Sequence, residues 1–225
     1  MKQNLFFLAV SFFLLSCQKE FTIDTSSTIV DSTGDPKTDT CDTYFPLTTG
    51  STWTYEQPGG IQVNTVITPD TVIRGNIFKR VSQVLSGDVT NSFFREENGN
   101  VYAYMNLSTN GSANGEVIVN PIRSKVAVGA RWSDTIVINN STERLEYEMM
   151  EKNITRGVDT FYFTNVLHVQ YTVRIDLPPV ITDELVQITD VWYAKCVGVI
   201  ETKSQLLTQS IIVGSPNRIK SYLIR

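Results

Sequence analysis

The feature that most constrains this chain is a long run of strict two-residue alternation. From Phe161 to Ile175 the odd positions are Phe161, Phe163, Asn165, Leu167, Val169, Tyr171, Val173 and Ile175, while the even ones include Thr164, His168, Gln170, Thr172 and Arg174. Successive side chains of a strand point to opposite faces, so such a run has one dry face and one wet one. Strands of that kind suit antiparallel sheets. The set Ile61, Val63, Thr65 and Ile67 alternates with Gln62, Asn64, Val66 and Thr68, and Val101, Ala103, Met105 and Leu107 alternate with Tyr102, Tyr104 and Asn106. Turn signals separate these runs: Pro58-Gly59-Gly60, Arg74-Gly75-Asn76, Ser86-Gly87-Asp88, Asn98-Gly99-Asn100 and Asn114-Gly115. Such pairs favour tight hairpins. In Ser141–Asn153, Leu145 and Met149 share a helical face, yet Leu145, Tyr147 and Met149 also alternate; the strand reading is preferred. The pattern predicts an all-β chain, an antiparallel meander of about ten strands curved into a sheet, half-barrel or open barrel, with a β-sandwich as the alternative.

The first residues belong to a different regime. Lys2 precedes an apolar run from Leu5 to Leu15, followed by Ser16-Cys17. A membrane-spanning helix needs about 20 apolar residues, and a short apolar core behind a cationic start is a secretory signal. Leu14-Leu15-Ser16-Cys17 resembles the lipobox of bacterial lipoproteins. That resemblance implies removal of residues 1–16, acylation of Cys17 (palmitate-type chains) and a lipid anchor in the outer membrane. Gln18-Lys19-Glu20 resembles a short signal that sends lipoproteins to the cell surface, although Phe21 stands where a second acidic residue is usual. Residues 17–40 then read as lipidated Cys17 and a flexible tether, rich in Ser, Thr and Asp and too poor in apolar groups to offset the entropy of ordering. Residues 41–225 form the expected single β domain, long enough to bury about 70% of the unfolded surface.

Charge and residue chemistry exclude several functions. The formal net charge is −4, and the acidic tether carries much of it, so no basic footprint for nucleic acid is present. Asp31, Asp35 and Asp39 lack the spacing of a calcium loop. His168 is the only histidine; a solvated surface position is expected for it rather than a role as base to a Cys196 nucleophile. No zinc cluster, phosphate loop or nucleophile elbow is present. The pairs Glu96-Glu97, Glu146/Glu148 and Asp183-Glu184 have no arrangement that marks a glycosidase. The expectation is a non-enzyme without metal or cofactor.

Gly50-Ser51-Thr52-Trp53 is echoed by Gly129-Ala130-Arg131-Trp132; a duplicated half-sheet would explain the echo, and so would chance, since four-residue echoes are common. Tyr44-Phe45-Pro46-Leu47, Gly50 and Trp53-Thr54-Tyr55, with the closing Trp192-Tyr193-Ala194 and Val197-Gly198, resemble the motifs that open and close a broad group of uncharacterised envelope lipoproteins. The resemblance would span about residues 41–225 through these short motifs, and implies a curved sheet like that of lipoprotein carriers. Cys196 stands where that pattern has glycine. With Cys17 acylated, Cys41 and Cys196 remain. In an oxidising compartment they can pair in one way only, stapling the domain start to a late strand; the alternative is a buried free Cys196 and a mobile Cys41. Strand parity puts Cys196 on the face of Trp192 and Ala194.

Two functional classes follow. The first is a surface binding or accessory module that meets a glycan or a partner protein through Tyr102 and Tyr104. The second is a carrier of a lipid or other apolar ligand, with Phe93, Phe161, Phe163 and Leu167 lining a hollow. The triplets Asp31-Ser32-Thr33, Asp70-Thr71-Val72 and Asp134-Thr135-Ile136 resemble bacterial O-glycosylation sites.

Overall fold

The computed structural model describes residues 41–109, 112–138, 141–208 and 211–225. The segment 1–16, Cys17 and the tether to residue 40 lie outside the described residues. Every regular element among the described residues is a strand: β1 (Thr52–Gln57), β2 (Gly60–Ile73), β3 (Asn76–Leu85), β4 (Asp88–Glu97), β5 (Asn100–Thr109), β6 (Ser112–Arg123), β7 (Arg131–Ile138), β8 (Ser141–Val158), β9 (Phe161–Leu177), β10 (Ile181–Ala194), β11 (Gly198–Thr208) and β12 (Ile211–Leu223). They form one antiparallel sheet of twelve strands, ordered β6-β5-β4-β3-β2-β1-β12-β11-β10-β9-β8-β7. Pairing of β1 with β12 rolls the two meanders into a barrel, closed except for a seam between β6 and β7. The described residues thus form an open barrel of a single sheet, with two strands more than the expected ten and no second sheet among them to make a sandwich.

Hairpin chemistry sets this path. Arg74 and Gly75, Ser86 and Gly87, and Asn98 and Gly99 all hold positive φ, the mirror-image turn that matches the twist of the flanking strands. At Gly99 the positive φ of 78° favours glycine, and an added Cβ would have to displace the Ser124 hydroxyl, which lies 2.5 Å away. Asn114-Gly115, which reads as a turn, instead lies within β6 beside a register shift. Ser141–Asn153 is strand: Glu143, Leu145, Tyr147 and Met149 are buried and Arg144 is exposed. Register shifts in β1/β12, β2/β3, β5/β6, β8/β9, β9/β10 and β10/β11 supply the bends that a closed sheet needs.

The glycine–tryptophan echo is a structural equivalence. Before β1, Gly50 N–H donates to Val66 O and Val66 N–H to Ser51 O; before β7, Gly129 N–H donates to Met149 O and Met149 N–H to Ala130 O. Each glycine has positive φ and opens a six-stranded meander. Each tryptophan three residues later is buried and donates its indole N–H to a backbone carbonyl, Trp53 to Val197 and Trp132 to Asn120. At the seam, the Trp132 bond and a second one, from Asn120 N–H to Asp134 Oδ2 (2.7 Å), replace strand pairing.

Candidate functional site: the barrel interior

In an antiparallel meander the connections alternate between two ends. One end carries residues 74–75, 98–99, 124–130, 159–160 and 195–197; the other carries 58–59, 86–87 and 178–180. The segment leading into β1 plugs the first end. Cys196 N–H donates to Thr43 O, Cys41 and Cys196 are joined as a disulfide with Cα atoms 5.7 Å apart, and Phe45 packs on Phe94 with ring centroids 4.8 Å apart. Cys196 itself sits in the β10–β11 turn with φ 65°, beyond the last strand residue Ala194, so strand parity does not govern its direction.

Above this plug the barrel encloses a cavity of about 190 Å³. Phe45, Trp53, Tyr55, Phe94, Tyr147 and Tyr193 supply its aromatic walls. Asn64, Gln83, Gln187, Thr202, Ser204 and Asn217 supply hydrogen-bonding groups. The two sets interleave: Trp53 pairs with Asn64 and Tyr55 with Gln62 across β1/β2, and Tyr171 pairs with both Tyr147 and Thr189. Asn64 faces Gln83 across β2/β3, Gln187 faces Leu206 across β10/β11, and Tyr193 pairs with Val199 close to the plug.

The polar wall arises from an inversion in β2. Its apolar set is expected inward, yet Gln62, Asn64 and Val66 are buried while Ile61 is 45% exposed. Buried amides are expensive unless bonded, and these are chained: Gln57 Nε2 donates to Gln62 Oε1 (3.0 Å), and Gln62 Nε2 to Asn64 Oδ1 (2.7 Å). Across the barrel Gln187 Nε2 donates to Thr189 Oγ1 (2.8 Å), whose hydroxyl bonds Ser204 Oγ (3.1 Å). Burial pushes the hydroxyls of Tyr55, Tyr193, Tyr147 and Tyr171 above the ordinary phenol range. The lining therefore stays uncharged across physiological pH.

Other residues singled out in the sequence fall elsewhere. Phe161, Phe163 and Leu167 are absent from the cavity wall: Leu167 is fully buried, and the two phenylalanines cluster with Tyr222. Phe93 stands on the outer face with Tyr104, their centroids 5.9 Å apart. There, Phe78 of the β2–β3 hairpin, wholly buried, meets Tyr104 at 6.4 Å, and Arg95 lies 4.5 Å over the Tyr102 ring. Tyr102 and Tyr104 thus belong to a packed outer layer and do not form an open platform.

Trp192 also lies outside the cavity. Val191 and Tyr193, two residues apart on β10, both line the cavity, and Trp192 between them points outward. The Trp192 indole is held between the His168 ring (4.4 Å between centroids) and the Arg156 guanidinium (3.5 Å). Contrary to the expected solvated position, the His168 side chain is only 12% exposed. Its Nδ1 faces Glu151 Oε2 at 3.0 Å and its Nε2 faces Asp190 Oδ1 at 2.8 Å. The His168 hydrogen bond, opposed by burial and aided by Gln170, holds the Asp190 carboxyl below its usual range. Glu201 is nearly buried; burial disfavours its ionisation, but Arg156, Arg218 and Lys203 outweigh this and lower its pKa. Trp192 is therefore a structural element of the outer wall. No group of three or more His, Cys, Asp or Glu side chains among the described residues could hold a metal.

No family model matches the chain, and no curated protein does. Two solved structures are similar. A Parabacteroides distasonis protein designated a lipoprotein aligns over 81% of this chain and 99% of its own, at 15% identity and a TM-score of 0.51. The two chains share a fold. A Bacteroides fragilis protein designated an exported protein with a YmcC-like fold aligns over 80% and 98%, at 14% identity and a TM-score of 0.48. Identity this low speaks to architecture alone.

Proposed function

We propose that this protein is a lipid-anchored lipoprotein of the bacterial envelope whose barrel holds a small ligand. The location is supported by the signal segment, Cys17 and the fold shared with a protein designated a lipoprotein. The observation that carries the binding role is the cavity itself, whose aromatic and aliphatic wall is interrupted by the amides of Asn64, Gln83, Gln187 and Asn217. Pockets with apolar walls and a few convergent polar groups are the usual form of small-molecule sites. The role is binding without catalysis. His168 stands on the outer face, and neither Ser204 nor the disulfide-bonded Cys196 has it as a base. The outward-facing module is the weaker reading, because its tyrosines are packed under Phe78 and Arg95.

Two experiments test the two halves. Cys17→Ser should abolish palmitate incorporation and release the protein from membranes; unchanged fractionation and labelling overturn the anchor. For the binding role, mass spectrometry of the small molecules freed by denaturing purified protein should reveal a ligand in the wild type and none in Ala103→Phe, which fills the cavity. An empty wild-type extract, together with no thermal-shift hit from a small-molecule library, overturns it.

A further inference from the structure

Resting on that reading of the interior, we infer that the ligand is an uncharged molecule of roughly one ring in size, with an apolar body and a hydrogen-bonding head group. The size follows from the cavity. About 190 Å³ exceeds only modestly the ~150 Å³ apolar cavity that accommodates benzene, so the acyl chains of a membrane lipid do not fit within it. The charge follows from the wall. Every one of the cavity-lining residues is apolar, aromatic, amide or hydroxyl, with no Lys, Arg, Asp or Glu among them. A buried ion without a counter-charge is strongly disfavoured, so a carboxylate, phosphate or ammonium has no partner there.

The head group follows from bonds already in place. Asn64 Oδ1 is taken by Gln62, which leaves the Asn64 amide N–H groups as donors at the cavity. Gln187 uses its Nε2 on Thr189, which leaves its carbonyl oxygen as an acceptor. A hydroxyl or a primary amide can bond either of them. Tyr55, whose hydroxyl is tied to Val199 O (3.0 Å), and Tyr147, stacked on Trp132 at 5.5 Å, offer fixed faces for the apolar body.

The test uses four probes of one size: benzyl alcohol, toluene, benzoate and benzylamine, titrated against the full chain by NMR at pH 7. Benzyl alcohol is expected to bind most tightly, toluene several-fold more weakly, and both ions at least about tenfold more weakly, in keeping with the desolvation of an unpaired charge. The benzylamine arm also covers the nearest acid on β8, Glu143, one inward position beyond Leu145. Asn64→Leu combined with Gln187→Leu should remove the preference for benzyl alcohol over toluene, and Ala103→Phe should abolish binding of both. Ions that bind as well as the alcohol overturn the neutrality while leaving the interior site intact. Failure of all four probes overturns the interior site itself, and binding unchanged in a folded Ala103→Phe places the probe elsewhere and does the same.

Discussion

Glu143 gives a prediction whose size the structure sets. Its side chain points into the barrel on the same face of β8 as Leu145 and Tyr147; the residue is 4% exposed, and Oε2 has no hydrogen-bond partner. Burial pushes its carboxyl from the ordinary 4.5 up to about 6. The folded state therefore keeps a proton that the unfolded state has already lost between those two values. Stability is fully retained below about pH 4.5 and falls as pH rises through about 6. A rise from 4.5 to about 6, at about 1.36 kcal/mol per pH unit, is roughly 2 kcal/mol. Water at the barrel end screens part of this, so about 1–2 kcal/mol is expected. Glu143→Gln keeps the shape and removes the titration. Urea denaturation of both proteins at half-unit steps from pH 4 to pH 8 should show the variant gaining about 1–2 kcal/mol relative to wild type as pH rises, or about 2–8 °C in Tm for a domain of this size. A difference that is flat with pH refutes the buried-carboxyl argument. A difference of the opposite sign would mean that Glu143 has a cationic partner.

Three more outcomes follow. Breaking the disulfide with Cys41→Ser and Cys196→Ser opens a 155-residue separation and should lower stability by about 4–5 kcal/mol in the chain-entropy view, read from denaturant midpoints; a loss under 1 kcal/mol contradicts it. Trp132→Phe deletes the seam bond to Asn120 O and should cost about 1–3 kcal/mol, with faster amide exchange at the β6 edge than at β3; unchanged exchange contradicts the seam's role. Because His168 holds Asp190 below its usual range, the stabilisation from that carboxylate is present above its ordinary 3.8 and is lost as pH falls through the lower folded value. Asp190→Asn should therefore flatten the acid limb of the stability profile below about pH 4, and an unchanged limb argues against the pair.

Much of the barrel was legible in the sequence because its strands are one-sided and its turns carry glycine. The β9 run from Phe161 onward shows its parity directly, with Leu167, Val169 and Val173 buried. The site was less legible, for physical reasons. In β2 the amides face inward because they bond one another, and hydrophobicity alone assigns that strand the wrong face. In β10 the run Val191–Ala194 is buried on both sides, so no alternation of polarity shows that Tyr193 faces inward and Trp192 outward. Phe93 looks like a cavity residue until the β2–β3 hairpin covers the outer wall with Phe78. The signal that could have located the site is the row Gln57, Gln62, Asn64 beside apolar neighbours, since amides spaced to bond within and across strands can be buried at little net expense.

The most direct trial of an occupied interior is a crystal structure of the protein soaked in benzyl alcohol. Density is predicted inside the barrel, with the ring against the tyrosine faces and the hydroxyl within hydrogen-bond reach of Asn64 or Gln187. Density confined to the outer surface, or a barrel whose side chains close the space, would contradict it.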